Sequence, residues 1–203
     1  MRVRPTRWDA VASELADRVA REFPDRRCRL LLDGPPPTRP IELASTLREE
    51  LRARGRPSVV VSAADYLRPA SVRLEYGHHD PDEFLERWLD VGALRREVLT
   101  ESGPVLPRLW NAEADRAYRD ERVDLSDGGV VLLSGTLLLG RGLPAELTVH
   151  LEMSAAALSR HLPAEEHWAL PAYARYADEN DPTDADLVVL ADHPERPAVV
   201  VRG

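Results

Sequence analysis

Short apolar segments alternate with amphipathic segments along most of the chain, and this alternation restricts the fold more than any other feature of the sequence. The apolar segments predict strands at 28–33 (CRLLLD), 58–62 (SVVVS), 129–139 (GVVLLSGTLLL), 146–152 (ELTVHLE), 186–192 (DLVVLAD) and 197–202 (PAVVVR). The spacing of apolar residues elsewhere predicts helices at 9–22, 41–54, 81–99 with a break near Gly92, 154–161 and 163–177. Continuously apolar strands are typical of a parallel sheet that is covered on both faces. We therefore predict a three-layer α/β fold, with a mostly parallel sheet flanked by helices.

Length, charge and cysteine content limit the class of protein. The 203 residues suffice for one core, so we treat 1–203 as a single domain with an N-terminal helix in 1–24 and an irregular excursion at 102–128. The net charge of −8 disfavours nucleic acids and anionic membranes as partners, since both attract basic surfaces.

No segment approaches the roughly 18 apolar residues of a membrane span, and the N-terminus lacks the apolar region of a signal peptide. With Cys28 as the single cysteine, we expect a cytoplasmic protein.

The segment LLLDGPPPTRPIELASTLREEL (31–52) combines a strand, a tight connection and a helix, which is the arrangement of a phosphate-binding corner. A P-loop at such a corner uses glycine amides, a lysine and a hydroxyl group to hold phosphates and magnesium. Here the connection consists mostly of proline. In addition, all 27 basic residues of the chain are arginine, so no lysine is present to neutralise a phosphate or to form a Schiff base.

Several further stretches follow this corner in a recognisable order. They are VVVSAADYLRP (59–69), YGHHDPDEF (76–84), GGVVLLSGTLLL, ELTVHLEMSAAALSRHL and YARYADENDPTDADLVV. Together with LLLDG they resemble the uridine kinase family of P-loop nucleoside kinases, and especially its GC-rich bacterial branch. The resemblance covers roughly residues 28–192. It implies a P-loop NTPase-like fold, a nucleoside site that begins after the second strand, and a lid that is shortened here to 160–172.

The chain departs from the family pattern at the loop itself. When the P-loop pattern is aligned on Gly34, the later glycines fall on Pro37 and Arg39, the lysine on Pro40 and the hydroxyl on Ile41. Proline has no amide hydrogen to donate, and its ring fixes φ near −65°. We therefore expect a degenerate Walker A motif that folds but does not cradle a triphosphate.

Three other family features are missing as well. The family's general base aligns with Ala64, and Asp65 stands one position later. The acidic metal ligand aligns with Ser134, and the lid has no arginine between Arg160 and Arg175. Phosphoryl transfer depends almost entirely on positioning and charge stabilisation. The resemblance together with these losses therefore predicts a fold without ATP-dependent kinase activity.

The remaining polar and aromatic residues supply the candidates for a site. Asp65 and His79 are the candidate catalytic acid or base. The candidate ligand-binding residues are Arg39, Tyr66, Arg68, Tyr76, His78, Asp80, Arg116 and Arg160. No metal site is predicted, because adjacent histidines cannot point the same way from an extended segment. No cofactor is expected, and ATP with magnesium enters only if the degenerate loop still binds it.

Three hypotheses about function follow from these residues. The first is a uridine-kinase-like pseudoenzyme that binds a nucleoside-like or anionic small molecule, or a partner protein. The second is an enzyme that uses the old acceptor pocket for different chemistry, and the third is an unconventional uridine or cytidine kinase. Fold does not fix function, so the sequence leaves all three open, together with association into a homo-oligomer.

Overall fold

A seven-stranded sheet lies at the centre of the computed structural model, which describes residues 2–126 and 128–201. Met1, Asp127, Arg202 and Gly203 lie outside the described residues, so the predicted strand 197–202 is described only as far as Val201. In chain order the strands are β1 (Arg2–Pro5), β2 (Cys28–Asp33), β3 (Ser58–Ser62), β4 (Trp110–Asn111), β5 (Arg116–Ala117), β6 (Val130–Gly135), β7 (Leu147–Glu152), β8 (Leu187–Leu190) and β9 (Ala198–Val201).

Helices cover both faces of this sheet. They are α1 (Trp8–Glu22), α2 (Pro40–Ala53), α3 (Ala70–Arg73), α4 (Pro81–Glu86), α5 (Val91–Glu97), α6 (Ala155–His161) and α7 (Leu170–Glu179). Short 3₁₀ turns occupy Pro36–Thr38, Ala63–Tyr66, Ala164–Ala169 and Pro182–Asp184. Among the described residues, none of these helices is long and apolar enough to cross a bilayer.

The strand order is β1-β9-β8-β7-β2-β6-β3, with β4 and β5 forming a separate hairpin. The five strands from β8 to β3 pair in parallel, whereas β9 pairs antiparallel with both β8 and β1. The prediction of an α/β fold with a mostly parallel sheet is therefore confirmed. Because the chain passes from β6 on one side of β2 to β7 on the other, the carboxyl end of β2 lies at a topological switch point, where ligands of such sheets bind.

Side chains of β2 alternate between the two faces and fix the core. Leu30 and Leu32 pack in the cluster under α1 and α2, whereas Leu31 packs in the cluster on the opposite face with Leu94 of α5. A third cluster joins α4, α6 and α7 beside the carboxyl end of the sheet, with Leu158 among its members. Each layer of helices therefore buries its own apolar face against the central strands.

The structure differs from the predicted elements at several boundaries. The strand predicted for 129–139 ends at Gly135, and the following residues leave the sheet because Leu137 takes a positive φ of 60°. The helix predicted for 81–99 breaks before Asp90, which caps α5 by accepting from the Ala93 amide, so Gly92 lies inside a helix. The strand β1 was not predicted, because its residues RVRP are all exposed.

Leu32 provides a test of the core assignment. Its side chain is fully buried, so Leu32→Ala should lower the free energy of unfolding by about 2–5 kcal/mol through lost burial and the cavity left behind. Urea unfolding followed by circular dichroism measures this loss. Ile41→Ala is the control, since Ile41 is 41% exposed and its truncation should cost less than about 1 kcal/mol. An equal loss in both variants would contradict the assignment.

Candidate functional site

The connection after β2 commits all of its backbone amides within the protein. Residues 34–40 read Gly-Pro-Pro-Pro-Thr-Arg-Pro, so only Gly34, Thr38 and Arg39 carry an N–H group. Gly34 donates to the Gly135 carbonyl at 3.0 Å, and the other two donate to carbonyls three residues earlier at 2.9 and 3.0 Å. Every backbone donor between β2 and α2 is thus paired before any ligand is considered.

The Thr38 side chain of this connection also points inward. Thr38 is 2% exposed, and its hydroxyl donates to the Pro35 carbonyl at 2.8 Å. A Cβ atom added to Gly34 would lie 2.6 Å from the Thr38 Oγ1 and 2.8 Å from the Leu151 Cβ, so only glycine fits at this position. At Gly34 the connection is therefore packed tightly against β7.

Arg39 has a left-handed backbone at the start of α2. Its φ of 56° and ψ of 53° are uncommon for a residue with a side chain. The guanidinium group is about half exposed and lies 3.7 Å from Glu42 and 3.5 Å from Glu195. Exposed ion pairs of this kind contribute little to stability, so they do not explain the strained backbone.

Two cavities flank this connection. The first, which we call the β3 cavity, has a volume of about 380 Å³ and lies between the end of β3 and α4. The second, which we call the β7 cavity, has a volume of about 580 Å³ and lies between the ends of β2 and β7 and the helices α6 and α7. Gly34 borders both, and so does Thr136 after β6.

The β3 cavity combines an aromatic wall with arginine. Phe84 and Trp88 line it and pack edge to face, with ring centroids 5.1 Å apart. Arg141 also lines it and is held by the Leu137 carbonyl at 3.1 Å and by the Leu85 carbonyl. Such a pocket suits a flat ring with an anionic or hydrogen-bonding substituent, because rings stack on aromatic faces and guanidinium binds oxygen acceptors.

Ser134 lies at the floor of the β3 cavity and is 1% exposed. Its hydroxyl donates weakly to the Val61 carbonyl at 3.4 Å. Within residues 2–126 and 128–201, no group of three or more His, Cys, Asp or Glu side chains is arranged to hold a metal ion.

The β7 cavity contains a polar cluster that the sequence did not suggest. Parallel pairing of β2 with β7 places Asp33 opposite His150, and the Asp33 Oδ2 lies 2.7 Å from the His150 Nδ1. The same oxygen accepts from the Tyr176 hydroxyl at 2.9 Å, and Oδ1 accepts from the Leu138 amide at 2.8 Å. Asp33 is completely buried, so these three donors replace water around the carboxylate.

Two tyrosines of α7 line the β7 cavity, Tyr176 within this cluster and Tyr173 beside Thr136. The Tyr176 oxygen accepts from the Leu139 amide at 2.7 Å, which leaves its own proton for Asp33. The pKa of Tyr176 is raised far above its usual range, mainly by burial and secondly by the nearby charge of Asp33. Burial likewise raises the pKa of Tyr173 to about 12, so both side chains are neutral hydroxyl groups near pH 7.

The candidate catalytic residues lie outside the lining of both cavities. Asp65 belongs to the 3₁₀ turn Ala63–Tyr66, where its carboxylate interacts with the Tyr118 hydroxyl and burial raises its pKa. Its neighbour Ala64 lines the β3 cavity instead. His79 is exposed and packs its ring against Trp168, with centroids 5.4 Å apart.

Among the eight candidate ligand-binding residues, Arg39 lines the β3 cavity and the others do not. Tyr66 is fully buried and donates to the Leu106 carbonyl at 2.6 Å. Tyr76 is 60% exposed, with the Arg87 guanidinium 5.7 Å from its ring centre.

The remaining candidates have identifiable local roles or lie at the surface. Asp80 caps α4 by accepting from two amides at 2.9 Å, and the backbone of Arg68 pairs with the Trp88 carbonyl at 2.8 Å. Arg116 is exposed in β5, where it borders a third cavity of about 660 Å³ together with Tyr118. The other two, His78 and Arg160, are exposed.

Comparison with known proteins identifies the fold. No model of a known protein family matches the chain, and no curated protein matches it by sequence. Among solved structures, it is similar to a possible uridine kinase from Bacillus stearothermophilus, with a TM-score of 0.64 and 22% identity over 86% of this chain and 98% of that chain.

Two further structures agree with this comparison. A candidate fructose transport system kinase from Silicibacter sp. TM1040 gives a TM-score of 0.61 and 21% identity, over 89% of this chain and 92% of that chain. The YGR205w protein gives 0.63 and 10% identity, over 97% and 100%. The chain therefore has the α/β fold of P-loop kinases, similar to that of a uridine kinase.

The left-handed backbone of Arg39 leads to a stability prediction. Arg39→Gly should raise the free energy of unfolding by about 0.5–1 kcal/mol, because relief of roughly 1–2 kcal/mol of strain exceeds the entropy that glycine adds to the unfolded chain. Arg39→Ala keeps the Cβ atom and should change stability little. Urea unfolding measures both, and a gain in the alanine variant equal to that in the glycine variant would contradict the role of backbone strain.

Proposed function

We propose that the chain is a uridine-kinase-like pseudoenzyme, which keeps the kinase fold and an acceptor-side pocket but does not transfer phosphoryl groups from ATP. The observation that carries this proposal is the pairing of every backbone amide between Gly34 and Pro40. A phosphate-binding loop works because such amides converge on the ligand. In this chain the amides would have to break their hydrogen bonds within the protein before they could bind a phosphate.

The charges around the loop support the same proposal. Asp33 is buried directly before it, and its carboxylate would repel a phosphate seated above Gly34. Arg39 is the loop's only basic side chain, and it already lies beside Glu42 and Glu195. With no lysine in the chain, the loop offers no positive charge other than Arg39 for phosphoryl transfer.

The β3 cavity is the proposed binding site. It lies at the end of β3, on the side where the resemblance to uridine kinases puts the nucleoside. Phe84 and Trp88 offer faces for a flat ring, while Arg141 and Thr136 offer polar contacts. A nucleoside-like or anionic small molecule fits this combination of aromatic wall and few polar groups.

Ligand-dependent stability tests this function. The thermal midpoint should not change with ATP and magnesium, whereas uridine or cytidine should raise it. A free nucleoside at about 100 times its dissociation constant adds roughly 2.7 kcal/mol to the free energy of unfolding. A coupled assay with either nucleoside should detect no ADP. Measurable ADP release would instead support an unconventional kinase.

Two variants test whether the rise of the thermal midpoint with uridine results from binding in the β3 cavity. Ala64 is exposed and lines the β3 cavity, so Ala64→Trp should fill it and abolish the response to uridine. Ala156→Trp introduces the same side chain at an exposed position of α6 that lines neither cavity, and it should respond like the parent protein. A response that survives Ala64→Trp would place the nucleoside elsewhere. Failure of uridine and cytidine to stabilise the parent protein would remove the nucleoside from the proposal.

A further inference from the structure

The β7 cavity has the features of a second binding site, separate from the β3 cavity and independent of the function proposed above. Its floor is formed by Asp33, His150 and Tyr176 at the carboxyl ends of β2 and β7 and on α7. At about 580 Å³ it is large enough for a drug-sized molecule.

The imidazole of His150 is oriented by Asp33. The buried carboxylate receives one donor from the Leu138 amide and another from the Tyr176 hydroxyl, so it is an acceptor towards the imidazole as well. The proton of a neutral His150 is therefore on Nδ1, and Nε2 carries a lone pair. Within residues 2–126 and 128–201, Nε2 has no hydrogen-bond partner, and His150 lines the cavity.

The charge of the lining restricts what can enter. Asp33 and Glu152 contribute carboxylates, and none of the described lining residues is arginine. An anionic ligand would meet repulsion without a compensating cation, which excludes a polyphosphate in particular. A cation would be attracted by the same two carboxylates.

The walls of the cavity are largely apolar. Leucines and alanines line it from the segment after β6, from α6 and from α7, and Met153 lines it from the connection between β7 and α6. The aromatic ring of Tyr173 lies among them. An apolar ligand body gains by displacing water from such walls. The polar floor and the apolar walls together define the class of ligand.

We propose that the β7 cavity binds a neutral or cationic small molecule with an apolar body, which donates a hydrogen bond to the Nε2 of His150. Asp33 is a positioning residue, since it fixes the tautomer and orientation of the imidazole without reaching the ligand through an uncommitted oxygen. Glu152 at the end of β7 favours cationic over anionic members of this class.

Three probes that share a methylphenyl body test the proposal: p-cresol, 4-methylbenzylamine and p-toluate. Each is titrated into the full chain labelled with ¹⁵N, and the imidazole signals of the six histidines are followed by NMR. The His150 signal is identified by its loss in His150→Phe. We expect p-cresol and 4-methylbenzylamine to shift this signal saturably, and to bind at least about ten-fold more tightly than p-toluate, a difference of about 1.4 kcal/mol.

Two variants separate binding in the cavity from binding elsewhere. Ala174 is exposed on α7 and lines the cavity. Ala174→Trp should therefore lower the affinity for p-cresol by about ten-fold or more without disturbing the core. Ala156→Trp on α6 is the matched control and should bind like the parent protein. His150→Phe keeps a ring of similar size but removes the hydrogen-bond acceptor. The affinity for p-cresol, measured from the shifts of backbone amide signals, should therefore fall about three- to ten-fold.

Several results would overturn the proposal. One is the absence of saturable binding by both p-cresol and 4-methylbenzylamine. Another is p-toluate binding as tightly as 4-methylbenzylamine, which would contradict the charge argument. A third is equal weakening in Ala156→Trp and Ala174→Trp, which would place the probes outside the cavity. None of these results bears on uridine binding in the β3 cavity, so the two proposals fail separately.

Discussion

The buried carboxylate of Asp33 joins four parts of the chain at the carboxyl end of β2. It receives hydrogen bonds from β7, from the segment after β6 and from α7. Since the group is completely buried, losing any of these donors would leave its charge poorly solvated. Through the Tyr176 hydrogen bond, this group ties α7 to the end of β2 and helps to shape the floor of the β7 cavity.

The connection after β2 can be rich in proline because its few amides and the Thr38 hydroxyl are paired within the protein. In a phosphate-binding loop the ligand satisfies the amides, and the loop needs glycine to present them. Here Gly34 donates to β6 and Thr38 turns inward, so the connection is stable without a ligand. A negative side chain can then occupy the position below the loop, where it would be unfavourable beside a phosphate. The buried charge and the paired amides are therefore compatible with each other.

Much of the fold was predictable because its signals are local. The apolar segments that form β2, β3, β6, β7 and β8 can each be recognised within a few residues. The amphipathic spacing of α1 and α2 can be recognised within four helical turns. The proline-rich connection could be recognised for the same reason, since its four prolines lie within the six consecutive residues 35–40. The strand β1 escaped prediction because its exposed residues have no apolar pattern, and it is ordered by its partner β9.

The candidate site was less predictable. Asp65 follows a well-defined strand, yet the 3₁₀ turn of Ala63–Tyr66 directs its carboxylate to Tyr118 rather than towards the cavity. Two members of the Asp33 cluster were visible in the sequence, Asp33 as the acidic residue that ends β2 and His150 as the histidine of β7. Nothing in the sequence paired Asp33 with His150, 117 positions away, or with Tyr176, 143 positions away.

The sequence by itself determined the α/β fold, the succession of strands and helices, and a connection that lacks lysine and most of its amide hydrogens. These properties depend on residue type and on spacing within one element. Only the tertiary structure decided which side chains share a cavity, because the register between β2 and β7 and the packing of α7 set those neighbours. Register and packing result from the summed burial of many residues across the whole sheet, and no short segment encodes them.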